Sequence, residues 1–247
     1  MKLTIVGCAG SFPGPDSPAS CYLVEHDGRR ILLELGNGAF GPLQRYTDIY
    51  DVDGVALSHL HADHCLDLTS YYVARRYRPT GPAPAIPVLG PADTHDRMAR
   101  AYDLPPEEGM HGEFEFRDHV DVTEIGPFRI TTARVNHPVE TYGIRVEAGG
   151  RSLVFSGDTG ESQSLVDLAR GADLALFEAS WLSRVTNPPN LHMSAAEAAD
   201  HANRAGVGRL VLTHLVPWYD ADESYAEAAA VYDGELTLAR AGAVHEV

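Results

Sequence analysis

Four apolar runs in this 247-residue chain each lead into a side chain that can bind metal. Val55-Ala56-Leu57 runs into His59, and Ala133-Arg134-Val135 into His137. Leu153-Val154-Phe155 leads to Asp158, and Leu210-Val211-Leu212 to His214. Short apolar, β-branched runs of this kind read as strands. Where helices cross between the strands of a sheet, functional groups gather at the strands' carboxyl ends. Four strand ends carrying His, His, Asp and His therefore predict an α/β fold in which they meet at one edge.

The first of these ends is dense in ligand-type residues: His59-Leu60-His61-Ala62-Asp63-His64. His59 and His61 lie two apart, so in extended backbone they point the same way. Asp63 and His64 are adjacent and diverge, so one loop can serve two neighbouring metal positions. Five histidines and two aspartates suffice for two divalent ions. The assignment is His59, His61 and His137 on one ion, Asp63, His64 and His214 on the other, and Asp158 bridging. Nitrogen-rich sites with carboxylate suit zinc, with manganese or iron as alternatives. His95, His111 and His119 have no partner at ligand spacing and read as structural or solvated. Cys65 reads as packing beneath the site, because the ligand set is complete without it.

The length and the 44% hydrophobic content suit one compact domain spanning residues 1–247. The formal net charge of −16 opposes a large nucleic-acid partner, which needs clustered Lys and Arg. It does not oppose a small phosphate ester, whose surroundings are dominated by the metals beside it. The three cysteines, Cys8, Cys21 and Cys65, form no CxxC pair and fit a reducing cytoplasm. The apolar run at residues 3–6 is too short for a signal peptide or a membrane span.

Strands are expected at residues 2–7, 21–25, 30–35, 52–57, 88–89, 114–117, 120–124, 128–135, 142–147, 152–155, 174–177, 210–212 and 236–239. Helices are expected at 43–46, 66–78, 92–102, 161–170, 194–205 and 221–232. His26-Asp27-Gly28 and Gly149-Gly150 are hairpin signals. Ser194 followed by Glu197 is a capping-box pattern. The helix at 66–78 reads as amphipathic with a basic end, and Arg76 is its candidate phosphate contact. Trp218 and Tyr219 closely follow His214 and are candidates to stack on a base.

Together, the His59–His64 motif, His137, Asp158 in Ser-Gly-Asp-Thr and His214 in Leu-Thr-His resemble the metallo-β-lactamase superfamily. The resemblance implies a four-layer αββα sandwich, two mixed β-sheets flanked by helices, with a dinuclear site at one edge. Glu34 departs from the Asp usual in that family. His61 stands where oxidoreductases of the superfamily carry Glu, so redox chemistry is disfavoured.

Glu178-Ala179-Ser180 and the segment His192-Met193-Ser194 resemble the phosphodiesterase branch, which includes ribonuclease Z. That resemblance implies hydrolysis by a metal-bridged hydroxide oriented by Asp63, with His192 as general acid supported by Glu178. The chemistry requires such an acid, because an alkoxide leaving group is strongly basic. Bacterial ribonuclease Z carries a long tRNA-gripping arm between the third His and the bridging Asp. Here those positions are 158 − 137 = 21 apart, room for a hairpin only, so tRNA is disfavoured.

Gly14 to Ser20, Leu43-Gln44-Arg45, Arg75-Arg76-Tyr77 and Val216-Pro217-Trp218 are similar to actinobacterial cyclic-nucleotide phosphodiesterases of this superfamily. This implies hydrolysis of 3′,5′-cyclic AMP to 5′-AMP, with no membrane partner. The alternatives are a ribonuclease Z-like tRNA 3′-processing endonuclease, a lactone or ester hydrolase, and a non-catalytic metal-binding regulatory protein. Superfamily relatives often dimerise, which leaves a homodimer open.

Overall fold

The computed structural model describes residues 1–105 and 107–247. One sheet contains Lys2–Gly7 (β1), Cys21–His26 (β2), Arg29–Leu33 (β3), Gly54–Ala56 (β4), Ile86–Gly90 (β5), Phe114–Asp118 (β6) and Val244–Glu246 (β14). Their order across the sheet is β14-β1-β2-β3-β4-β5-β6. The other contains Val122–Ile125 (β7), Phe128–Arg134 (β8), Tyr142–Ala148 (β9), Arg151–Phe155 (β10), Leu174–Glu178 (β11), Arg209–Thr213 (β12) and Glu235–Leu238 (β13). Here the order is β13-β12-β11-β10-β9-β8-β7. Each sheet is an antiparallel meander that continues into a parallel half. In the first, pairing turns parallel from β3 to β6; in the second, from β10 to β13.

The meanders turn where the sequence predicts. Asp27 and Gly28 both have positive φ (47° and 75°), as do Gly149 and Gly150 (59° and 74°). Two consecutive left-handed residues make the hairpin turn that matches strand twist. The parallel halves need crossovers, which Phe40–Leu43 (α1), Ala62–Cys65 (α2), Leu68–Arg76 (α3) and Thr94–Ala101 (α4) supply on the first sheet. Gln163–Leu168 (α5), Ala195–Ala205 (α6) and Ala221–Ala229 (α7) supply them on the second.

The central strands are apolar throughout because both of their faces are covered. Ile31 and Leu33 face the opposite sheet, meeting Phe128, Ile130, Ile144 and Phe155. Leu32, between them, packs outward with Leu68, Tyr71 and Met98 of the first helical layer. In the second sheet Leu153 and Phe155 point inward. Val154 packs outward with Leu165, Ala198 and Ala202. Three cores separate four layers, and the fold is the expected αββα sandwich with two mixed sheets. Among the described residues no helix is long and apolar enough to cross a membrane.

Local boundaries differ from the expectation where tertiary contacts decide them. The helix expected at 66–78 is α3, from Leu68 to Arg76, and the short α2 before it was not expected. Between the two, Asp67 takes two tethers: its N–H donates to the Leu35 carbonyl (3.1 Å), and its Oδ2 accepts from the Phe40 N–H (2.8 Å). The strand expected at 52–57 is only Gly54–Ala56. Strand β14 was not expected; it exists through its pairing with β1, Lys2 opposite Glu246. The capping box forms as read: Ser194 Oγ accepts from the Glu197 N–H, and Glu197 Oε2 accepts from the Ser194 N–H.

Candidate metal centre

Strand direction explains why residues far apart in sequence meet. Strands β8 and β10 both pair antiparallel with β9, and β10, β11 and β12 pair in parallel. All four therefore run the same way, and their carboxyl ends share one edge of the second sheet. His137 follows β8, Asp158 follows β10, Glu178 ends β11 and His214 follows β12. Strand β4 of the first sheet delivers residues 59–64 to the same edge.

The side chains form two groups that share Asp158: His59, His61, His137 and Asp158, and Asp63, His64, His214 and Asp158. In the first, His61 Nδ1 is 3.0 Å from His59 Nε2 and 3.4 Å from His137 Nε2. Asp158 Oδ2 is 3.7 Å from His59 Nε2. In the second, His64 Nε2 and His214 Nε2 are 3.2 Å apart. Asp158 Oδ1 lies 3.3 Å from the former and 3.5 Å from the latter. Asp63 Oδ2 lies 3.1 Å from His214 Nε2.

The far sides of the rings are held. His137 Nδ1–H donates to the Leu191 carbonyl (2.7 Å), which leaves the Nε2 lone pair facing the cluster. His59 Nδ1 is 3.0 Å from Ser58 Oγ. Ser180 Oγ donates to Glu178 Oε2 (2.8 Å), so it accepts from His214 Nδ1–H (2.8 Å). Glu34, buried behind His64, accepts from the Ser58 N–H (2.7 Å) and holds Oε2 at 3.6 Å from His64 Nδ1. Partners of this kind fix the tautomer and ring angle of metal-binding histidines. Cys65 Sγ points at the His61 carbonyl, away from the ring nitrogens.

Two glycines admit the backbone to this edge. A Cβ on Gly36 would overlap the Asp63 carbonyl oxygen, and one on Gly10 would overlap that of His214. His214 and Glu34 themselves hold left-handed backbone, φ 55° and 63°. Non-glycine residues in that region carry strain that surrounding structure must impose.

Electrostatics favour a cation. Burial, reinforced by His64, keeps His59 well below the usual histidine range; burial likewise lowers His61 and His137. Neutral imidazole is the form that ligates. Burial opposes the charge on His64, but Asp158 and Asp63 raise it well above its ordinary value. Burial also opposes ionisation of Asp158 and Asp63, yet the adjoining histidines hold both carboxyls low. Among the described residues, the ionic partners of these two aspartates are all histidines.

The residues fit divalent metal. Asp158 Oδ1 is buried and makes no hydrogen bond, although it sits between two ring nitrogens. Ligands at roughly 2.1 Å from a tetrahedral ion lie about 3.4 Å from one another, close to the separations above.

His192 stands beside the cluster, its Nδ1 at 2.9 Å from Glu178 Oε1 and 3.8 Å from Asp158 Oδ2. Burial opposes its charge, but Glu178, joined by Asp158, lifts the pKa to about 9. Glu178 is fully buried and also accepts from the Thr159 and Ser180 N–H groups. It therefore anchors His192 directly and His214 through Ser180. The sequence singled out Glu178 and His192 but not the Ser180 bridge, whose signal is only a small hydroxyl two residues past the carboxylate.

Other candidates lie elsewhere. Arg76 does not join the cluster: it pairs with Glu113 (3.1 Å) on the helical layer. Trp218, 65% exposed, packs on Phe12, and Tyr219 lies beside Trp181. Neither Trp218 nor Tyr219 touches the ring nitrogens. His119 is structural, its Nε2–H donating to the Leu57 carbonyl.

The class that such a sandwich and cluster define is a metal-dependent hydrolase of the metallo-β-lactamase fold. Residues 29–215 match the family described as Beta-lactamase superfamily domain, and the chain belongs to it. The protein ML1173 of Mycobacterium leprae is 43% identical, over 100% of this chain and 89% of its own length. The Bacillus subtilis protein bearing the name Probable metallo-hydrolase YhfI is 29% identical over 100% of both chains. Its crystal structure superimposes with a TM-score of 0.89, at 27% identity and covering 100% of this chain and 99% of that one. Ribonuclease Z of Mycobacterium bovis is 31% identical, over 88% of this chain and 86% of its own.

Proposed function

We propose that this chain hydrolyses a small phosphodiester, 3′,5′-cyclic AMP, to 5′-AMP. The observation that carries the reading is the His192–Glu178 pair at 2.9 Å beside the shared Asp158. Esters with good leaving groups do not need a positioned acid; a ribose alkoxide does.

In this reading His59, His61 and His137 would hold one divalent ion and Asp63, His64 and His214 the other, with Asp158 within reach of both groups. Zinc suits this donor set best, with manganese or iron next. Ions held there supply Lewis acidity and a nucleophile at neutral pH. Asp63 orients the attacking water and takes its proton. As the new P–O bond forms, the P–O3′ bond breaks and His192 Nε2 gives its proton to O3′. Glu178 holds the imidazolium in place through Nδ1. The cysteines are free and buried, which supports a cytoplasmic home.

A second reading, an RNA-processing nuclease, draws on the identity with ribonuclease Z. Against it stand the net charge of −16 and the tight β9–β10 hairpin between His137 and Asp158. The test is to load the protein with zinc or manganese and follow cyclic AMP and a pre-tRNA by chromatography. Formation of 5′-AMP supports the proposal; cleavage of pre-tRNA alone replaces it with the second reading. Metal binding with no hydrolysis of phosphodiester, ester or lactone would make the chain a metal-binding protein without turnover.

A further inference from the structure

A cavity of about 350 Å³ opens beside the cluster, with His61 in its wall. That volume suits a small organic group. Leu60, Pro91 and Val139 give it apolar surface, and α4 adds Asp93 and Arg97. Asp93 occupies the N-cap position of α4, yet its side chain caps nothing. Arg97 follows one turn later, which puts both side chains on one face. Among the described residues neither side chain has an ion-pair or hydrogen-bond partner. The other charges at the cavity are already answered: Arg100 by Asp96 (3.7 Å), and Glu140 by Arg134 (3.2 Å). One free cation and one free carboxylate remain, on apolar walls, next to the reacting centre.

A second phosphate fits this cavity poorly. It would gain Arg97 but face the carboxylates of Asp93 and Glu140. A nucleobase fits well, because its edge presents a donor and an acceptor side by side. Adenine offers the N6 amine as donor and N7 as acceptor. We infer that the cavity holds the adenine of the nucleotide substrate, with Arg97 donating to N7 and Asp93 accepting from N6. The base thus lies on the His61 side of the centre, whereas Trp218 packs on Phe12 elsewhere. The inference rests on the nucleotide reading above, and it also names what that reading selects for: one phosphodiester attached to an amine-bearing purine.

Hypoxanthine is the sharp control, because it replaces the N6 amine by an oxygen that Asp93 would repel. The test is saturation-transfer NMR with adenosine and inosine on the metal-loaded protein, read without turnover. Adenosine is expected to bind at least tenfold more tightly than inosine. Arg97→Ala should weaken adenosine about tenfold, and Asp93→Asn should erase the preference over inosine. Both residues are exposed, so thermal melting should be unchanged in these variants. Val139→Trp, which fills the cavity from a partly exposed position, should block both nucleosides.

No adenosine binding, or adenosine binding indifferent to all three variants, overturns the inference even if cyclic AMP is hydrolysed. Binding that depends on Asp93 and Arg97 without hydrolysis of cyclic AMP would keep the cavity assignment and reject the reaction.

Discussion

Replacing Ser180 by alanine tests whether the hydrogen bonds behind the rings set metal affinity. Ser180 Oγ accepts from His214 Nδ1–H and donates to Glu178 Oε2, each at 2.8 Å, and all three residues are buried. In Ser180→Ala the Nδ1–H loses its acceptor. The proton is then free to move to Nε2, where it occupies the lone pair that faces the cluster. An unsatisfied buried donor costs about 1–3 kcal/mol, and a factor of ten in affinity is about 1.4 kcal/mol. The expected loss is therefore roughly 5- to 150-fold, in line with the ~10–100-fold typical when an outer partner of a ligand is removed.

The assay is metal content after dialysis against graded chelator, with thermal melting of the metal-free protein alongside. Weakening of one of the two ions is the expected result, since only the Asp63, His64 and His214 group loses its support. Retention of both ions at wild-type chelator concentrations, with only a lower melting temperature, would refute the reasoning and leave Ser180 a packing residue.

Three further outcomes are expected. His192→Ala should keep both metals and lose about 10²–10⁴ in rate on cyclic AMP; the loss should shrink on bis(p-nitrophenyl) phosphate, whose leaving group needs no proton, and equal losses on both substrates would remove the acid role. Gly36→Ala should destabilise by more than ~3 kcal/mol and abolish metal retention, because the new Cβ meets the Asp63 backbone rather than a movable side chain; soluble, metal-replete protein would contradict this. Asp173 answers to pH: burial opposes its charge, but Arg151 and both donors of Ser152 hold its folded pKa below the ordinary value. Its contribution is therefore present above about pH 3.9 and lost as pH falls through the lower folded value, so Asp173→Asn should be less stable than wild type at neutral pH and converge with it under acid denaturation; a gap that persists at the lowest pH would show the charge to be irrelevant.

What the sequence determined by itself was local and periodic. Leu153-Val154-Phe155 reads as a strand because both faces are apolar, and Asp27-Gly28 as a turn because two left-handed residues are required there. Ser194 and Glu197 spell a helix start for the same kind of reason. Even the seven candidate ligands could be picked out, since four strand-like apolar runs lead to His59, His137, Asp158 and His214, and His61, Asp63 and His64 follow His59 within five residues. Tertiary structure decided whatever depends on partners distant in sequence. It made β14 a strand through β1, and it set the start of α3 just after Asp67 through tethers to Leu35 and Phe40. It tied Arg76 to Glu113 instead of the site, bridged Glu178 to His214 through Ser180, and, among the described residues, left Asp93 and Arg97 unpaired beside His61. A residue's periodicity is written in its neighbours along the chain. Its hydrogen-bond partner across 30 or 150 positions is not, because only packing of the two sheets brings the pair together.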